Sequence, residues 1–164
     1  MKPLEVSLPN ETTVRVERTF DAPAALVWRA YTEPALIQRW MLGHPGWTMP
    51  VCEMDLRVGG TYRWRWRNDA DGKEFGFHGE FQELVQHKKI VNTEFFDPGN
   101  LGMDMGQGAL NSTSFSEVRG KTTLVQLIQY KSQQDRDAAL ATGMTDGMEV
   151  SYKILDALLL NLAA

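Results

Sequence analysis

Along the chain the spacing of apolar residues changes period three times. Thr13 to Phe20, TVRVERTF, sets Val14, Val16 and Phe20 against Arg15 and Glu17, and this period of two predicts a strand. DAPAALVWRAYTEPALIQRWM then switches to helical spacing. Leu26, Val27 and Ala30 form an apolar stripe, Asp21 stands where a cap belongs with Pro23 in the first turn, and Glu33-Pro34 restarts the chain as a second short helix ending near Trp40. From Val51 to Tyr130 strand signals return in VCEMDLR, TYRWRWRN, KEFGFHGEFQELV, KIVNTEFF, ALNSTSFSEV and KTTLVQLIQY. The turns between them (VGG, NDADG, QHK, VRG) are short enough for an antiparallel meander. One connection stands apart: Asp97 to Gly108, DPGNLGMDMGQG, has the length and glycine content of a lid, a binding loop or a disordered segment. In the last segment Met144, Met148, Tyr152, Leu155 and Leu159 recur every three or four residues, which predicts a long helix, and Thr142-Gly143 separates it from a short one before.

The order is therefore one strand, two short helices, about six antiparallel strands and a C-terminal helix, an α+β chain. Seven strands in one sheet have a large apolar face and one long helix to cover it. Such a sheet must curl around the helix, and where the helix cannot fill the concavity a cavity is expected.

At 164 residues the chain has the size of one domain, and its net charge of -4 argues against a nucleic-acid partner. The single cysteine, Cys52, excludes an internal disulfide framework and a thiolate metal site. His44, His78 and His87 show no ligand spacing, so no metal or other cofactor is expected. Neither a signal-peptide pattern nor an apolar run long enough to insert in a membrane is present, and a cytoplasmic location is the expectation.

TYRWRWRN raises the question of which face works. Tyr62, Trp64 and Trp66 share one side of a strand and Arg63, Arg65 and Arg67 the other. Against a curled sheet the apolar half turns inward, so the aromatics become cavity floor. The arginines then solubilise the outer surface and pair with acids such as Glu53 or Glu80. A phosphate rail is the lesser reading, because an acidic chain offers little further phosphate neutralisation.

Three blocks carry a family resemblance: VERTFDAPAALVWRAYTEPALIQRW, MDLRVGGTYRWRWRNDADGKEFGFHGEFQEL and SQQDRDAALATGMTDGMEVSYKILDALL. With Asp-x-Arg-x-Gly-Gly at Asp55 to Gly60, His-Gly-Glu at His78 to Glu80, and Arg136 to Met148, the chain resembles the SRPBCC (START-like) superfamily. Within it, the match is to the branch named for heat-shock protein 90 ATPase activator homologues and including CalC-like proteins. The resemblance runs from about Thr13 to Leu160. It implies a helix-grip fold, a seven-stranded antiparallel sheet wrapped around a long C-terminal helix, over a single domain of residues 1–164 whose first 11 residues form a flexible segment. It also implies a cavity for lipids, sterols or polyketides. The N-terminal domain that accompanies chaperone-binding members is absent from this sequence, which makes chaperone binding the less favoured expectation. A homodimer is compatible with the sequence.

The expected ligand is a hydrophobic or aromatic small molecule, lipid or polyketide-like. Its expected wall is Tyr62, Trp64, Trp66, Phe77, Phe81, Met144, Met148 and Tyr152, with Met103 and Met105 in a lid over the mouth. Chemistry is harder to find. His78 with Glu80 could act as an oriented base but reads better as an outer-face histidine. Asp55, Arg57 and Gly59-Gly60 read as a tight turn, and GMTDGM lacks the pattern of a phosphate loop. No nucleophile elbow is present and Cys52 has no activating neighbour in sequence, so catalysis is left undecided. A cyclase- or aromatase-like enzyme would need His78, Glu80 or Glu94 to point inward. A co-chaperone or stress-response module would instead need an exposed partner surface over a collapsed cavity.

Overall fold

Each change of period becomes a change of element in the computed structural model, which describes residues 3–101 and 108–163. The expected lid residues Met103 and Met105 lie outside the described residues. In chain order the elements are β1 (Glu5–Ser7), β2 (Thr13–Phe20), α1 (Ala24–Thr32), α2 (Pro34–Trp40), β3 (Trp47–Met54), β4 (Thr61–Asn68), β5 (Glu74–Val85) and β6 (Lys89–Asp97). They continue with β7 (Ala109–Val118), β8 (Lys121–Tyr130), α3 (Gln133–Ala141) and α4 (Met144–Ala163). The described strands form one antiparallel sheet in the order β1-β2-β8-β7-β6-β5-β4-β3. That is eight strands where the sequence suggests seven. The additional one is Glu5–Ser7, three exposed residues paired to Arg15–Glu17 at the sheet edge, too short to show a period of its own.

Local chemistry explains the helix boundaries. Asp21 does not cap α1. Its N-terminus is instead met by Glu117 at the end of β7, whose carboxylate accepts from the Ala24 amide at 2.7 Å. Pro34 keeps Glu33 extended (φ -96°, ψ 114°), which ends α1 and lets the proline open α2. Ser132 caps α3 by accepting from the Asp135 amide at 3.1 Å, and Gly143, at φ +80°, separates α3 from α4.

Strand parity fixes which side chains face α4. In β5 the inward positions are Phe75, Phe77, Gly79 and Phe81. Gln82 is then the extra residue of a bulge, because Phe81 pairs with Asn92 and Glu83 with Val91. The faces exchange there, three residues beyond Gly79, and Leu84 takes over the inward side. At Gly79 a Cβ would lie 2.0 Å from the Thr93 carbonyl and 2.9 Å from the Tyr62 ring, so only glycine admits that ring.

Six strands contribute to one core cluster with Tyr152, Leu155, Leu158 and Leu159 of α4: Phe20, Leu124, Phe115, Ile90, Phe81 and Tyr62. The sheet thus wraps the helix, the helix-grip arrangement. The three leucines all lie in the C-terminal half of α4. The N-terminal half presents Met144, Gly147, Met148 and Ser151, and it is there that space remains.

The helix is held by a charge cluster. Arg18 shares the inward parity of Val14, Val16 and Phe20, and its side chain is 2% exposed. Its guanidinium donates to both Asp156 oxygens at 3.0 and 2.7 Å and to Glu149 at 3.4 Å, while lying over the Phe20 and Tyr152 rings. Glu149 also accepts from the Leu4 amide at 2.6 Å, tying the first described residues to the helix. Removing one partner of such a pair strands a buried charge, which costs about 3–5 kcal/mol. Asp156→Ala is expected to lower the urea unfolding free energy by about 3 kcal/mol. By contrast Arg29→Ala, which breaks an exposed pair with Glu33, should leave the midpoint unchanged. Equal effects from the two variants would refute the clamp.

Candidate functional site

Between the N-terminal half of α4 and the sheet lies a cavity of about 480 Å³. Inward positions of β4 supply Tyr62, Trp64 and Trp66, β5 supplies Phe75, Phe77 and Phe81, and β6 supplies Ile90, Asn92, Glu94 and Phe96. The chain from Trp40 to His44 and Trp47 close one side, and Met144, Gly147, Met148, Ser151 and Tyr152 close another. All eight expected wall residues in the described part of the chain border this one cavity. At Gly147 a Cβ would meet nothing within 4 Å, so this glycine leaves the space beside Met144 and Met148 open.

The aromatics hold one another in place. Trp66 stacks on Phe75 with ring centres 5.2 Å apart and meets Phe77 edge-on at 5.8 Å, and Tyr62 leans on Trp64 at 4.7 Å. The Trp66 indole donates to the Met41 carbonyl at 2.6 Å and the Trp40 indole to the Ala30 carbonyl at 2.8 Å. The Trp64 Nε1 is buried with no hydrogen-bond partner among the described residues, an unsatisfied donor on the wall of the cavity. Opposite these rings, the arginine face is engaged in the ordinary way. Arg65 pairs with Asp97 at 2.5 Å and Arg63 approaches Glu53 at 3.9 Å. Phe95 goes with this outer face, stacked on the exposed His78 and itself 41% exposed. It does not join the inward aromatics.

Across the far wall runs a polar band that single-strand patterns did not bring together. Glu94 and Asn92 of β6, Asn111 and Thr113 of β7, and Gln126 of β8 all border the cavity, because each has the parity of apolar inward residues in its own strand. That parity is the signal: Glu94 alternates with Ile90 and Phe96, Asn111 with Ala109 and Phe115, Gln126 with Leu124 and Ile128. Gln129 is exposed. Asn111 donates its amide to one oxygen of Glu94, and Gln126 reaches the Asn111 carbonyl at 3.4 Å. Tyr62 donates to the Thr93 carbonyl at 2.6 Å and accepts from Asn92 at 3.0 Å, while Tyr130 makes a weak contact, 3.5 Å, to the Met144 sulfur.

Burial raises the Glu94 carboxyl to about 7, an effect that the Asn111 hydrogen bond only partly opposes. Burial also raises the phenols of Tyr62 and Tyr130, with the nearby Glu94 charge adding to it, and lifts Tyr152, bonded to Tyr31 at 3.1 Å, to about 12. Cys52 moves the same way, to about 11, the opposite of thiolate activation. Elsewhere Arg57 holds Asp55 at 2.8 Å within the Gly59-Gly60 turn, and among the described residues no cluster of metal ligands occurs. His78 and Glu80 stay on the exposed face, so of the three acid-base groups considered only Glu94 enters the cavity. No helix among the described residues is long and apolar enough to cross a membrane.

Because folded Glu94 keeps its proton up to about pH 7 while the unfolded group releases it near 4.5, stability should fall as pH rises through that interval. The contribution is at most about 3 kcal/mol. Thermal unfolding across this range should show a shallower decline in Glu94→Gln than in the parent, and parallel profiles would contradict the assignment.

The same fold occurs in solved structures. A Rhodobacter sphaeroides protein is 26% identical with a TM-score of 0.88, covering 98% of this chain and 99% of its own. A Chromobacterium violaceum protein is 27% identical with a TM-score of 0.75, over 92% and 97%. An AHSA1-like protein from Aeromonas hydrophila, at 18% identity and a TM-score of 0.70 over 89% and 93%, shares the fold. Comparison with curated proteins gives no match. Residues 21–160 match the family model described as Activator of Hsp90 ATPase homolog 1-like protein, and the chain belongs to that family.

Proposed function

We propose that this protein binds a hydrophobic or aromatic small molecule, lipid or polyketide-like, in the cavity between the sheet and the N-terminal half of α4. The observation that carries the reading is the composition of the lining: aromatic rings and methionines around a space of about 480 Å³, with a few polar groups gathered on one side. This is the usual make-up of small-molecule sites, in which apolar area supplies affinity and sparse polar groups set orientation. Gly147 adds to it, since a helix that served only to fill the core would gain stability from a larger residue at that position.

Native mass spectrometry of the protein purified from cells, set against its denatured mass, should reveal a stoichiometric small molecule. Gly147→Leu places a side chain into the space and improves helix propensity by roughly 0.5–1 kcal/mol. It should therefore lose the extra mass, and at least about tenfold in affinity for the recovered molecule, while its melting temperature holds or rises. Undiminished binding in a folded Gly147→Leu variant would remove the cavity as the site.

A second reading is favoured by Glu94. A carboxyl near 7 facing an apolar cavity has the proton affinity of a general base or acid, which would suit a cyclase- or aromatase-like reaction on a bound substrate. If turnover of the recovered molecule occurs, Glu94→Gln should abolish it while binding persists. Unchanged turnover would dismiss Glu94 as the proton carrier.

A further inference from the structure

We infer that the cavity selects an apolar molecule bearing a hydroxyl at the end that meets Glu94, held between that carboxylate and the groups around it, and disfavours molecules that present a carboxylate there. This rests on the binding reading above and specifies its ligand class.

Only one oxygen of Glu94 is engaged by Asn111, and among the described residues nothing else hydrogen-bonds the carboxylate. Its neighbours differ in how far they are committed. The Tyr62 hydroxyl has already committed its proton, donating to the Thr93 carbonyl while it accepts from Asn92. Among the described residues the Tyr130 hydroxyl has only a thioether contact, a weak acceptor, and Gln126 sits at the long end of hydrogen-bond range. The wall thus offers a strong unfilled acceptor beside under-used donors. A hydroxyl, which gives one proton and accepts others, satisfies both at once, whereas a bare hydrocarbon end would bury the second Glu94 oxygen further without a partner.

A ligand carboxylate meets the opposite situation. Among the described residues the wall contains no lysine or arginine, so a second carboxylate at this end would face Glu94 with no cation between them. The remaining titratable groups on the wall are Tyr62 from β4, Tyr130 from β8, Tyr31 from α1, Tyr152 from α4 and His44 after α2. The tyrosines stay neutral, their phenols raised by burial. His44 is exposed, so a cation there would be at the rim rather than beside Glu94.

The test uses three probes on one ring system, naphthol, ethylnaphthalene and naphthoic acid, titrated calorimetrically at about pH 8, where Glu94 is ionised. Naphthol should bind at least about tenfold more tightly than either of the others, the scale of one hydrogen bond to a charged group. In Glu94→Gln that advantage should shrink several-fold. Tyr130→Phe, which leaves the carboxylate untouched, should also reduce it and serves if the first variant does not fold. Equal affinity for naphthol and ethylnaphthalene, tighter binding of naphthoate, or an advantage that survives in folded Glu94→Gln would each overturn the selection while leaving cavity binding intact. Binding of none of the three, together with no retained molecule, would overturn the cavity reading and this inference with it.

Discussion

The position of α4 over the sheet depends on Arg18. A helix of leucines against a curved apolar face has many nearly equivalent seatings, since hydrophobic contact is non-directional. The bidentate bond to Asp156, the reach to Glu149 and the cover of Phe20 and Tyr152 restrict those seatings to one. A buried ion pair of this kind is a weak source of net stability, because desolvation offsets most of the attraction. Its consequence is registry. Asp156 and Glu149 are seven residues apart, on one side of the helix, so the clamp fixes rotation as well as translation.

With the helix fixed, the cavity follows from its two halves. Leu155, Leu158 and Leu159 complete the packed core in the helix's C-terminal half. Met144, Gly147, Met148 and Ser151, in the N-terminal half, carry less rigid bulk than the facing sheet would need for close packing. The sheet side opposite them is stiff: Gly79 lets the Tyr62 ring pack close against β5, and the Trp66 and Phe75 rings are stacked. One wall is therefore built of locked aromatics and the other of adaptable methionines. Such a pairing keeps the volume open while allowing the mouth side to adjust to an occupant.

Much of this was legible in the sequence, for reasons that also explain what was not. Period two in TYRWRWRN sufficed to turn Tyr62, Trp64 and Trp66 inward, because a curled sheet over one helix leaves the apolar face no other place to go. The second short helix began where Pro34 required it, and Gly143 divided α3 from α4. The cap of α1 was not legible, since Glu117 lies far along the chain from Ala24 and only the fold joins them. Glu5–Ser7 escaped because three polar or exposed residues carry no period. Phe95 and Glu94 show the same limit differently. In an aromatic run such as EFF, hydrophobicity favours Phe95 as the inward residue, yet parity counted from Ile90 gives the position to Glu94.

Among the described residues two charged side chains, Arg18 and Glu94, break the inward pattern, and the difference between them is informative. Arg18 breaks it with its partners supplied by the protein, two carboxylates and two rings, and so acts as a structural joint. Glu94 breaks it with one amide partner and a raised proton affinity, at the edge of a space lined by rings. Sequences that specify a fold well tend to violate local rules where a site demands it. A violation already satisfied within the fold asks for nothing further. One that remains half satisfied beside an open cavity favours states in which something else completes it, and for Glu94 the missing piece is a hydrogen-bond donor brought in from outside.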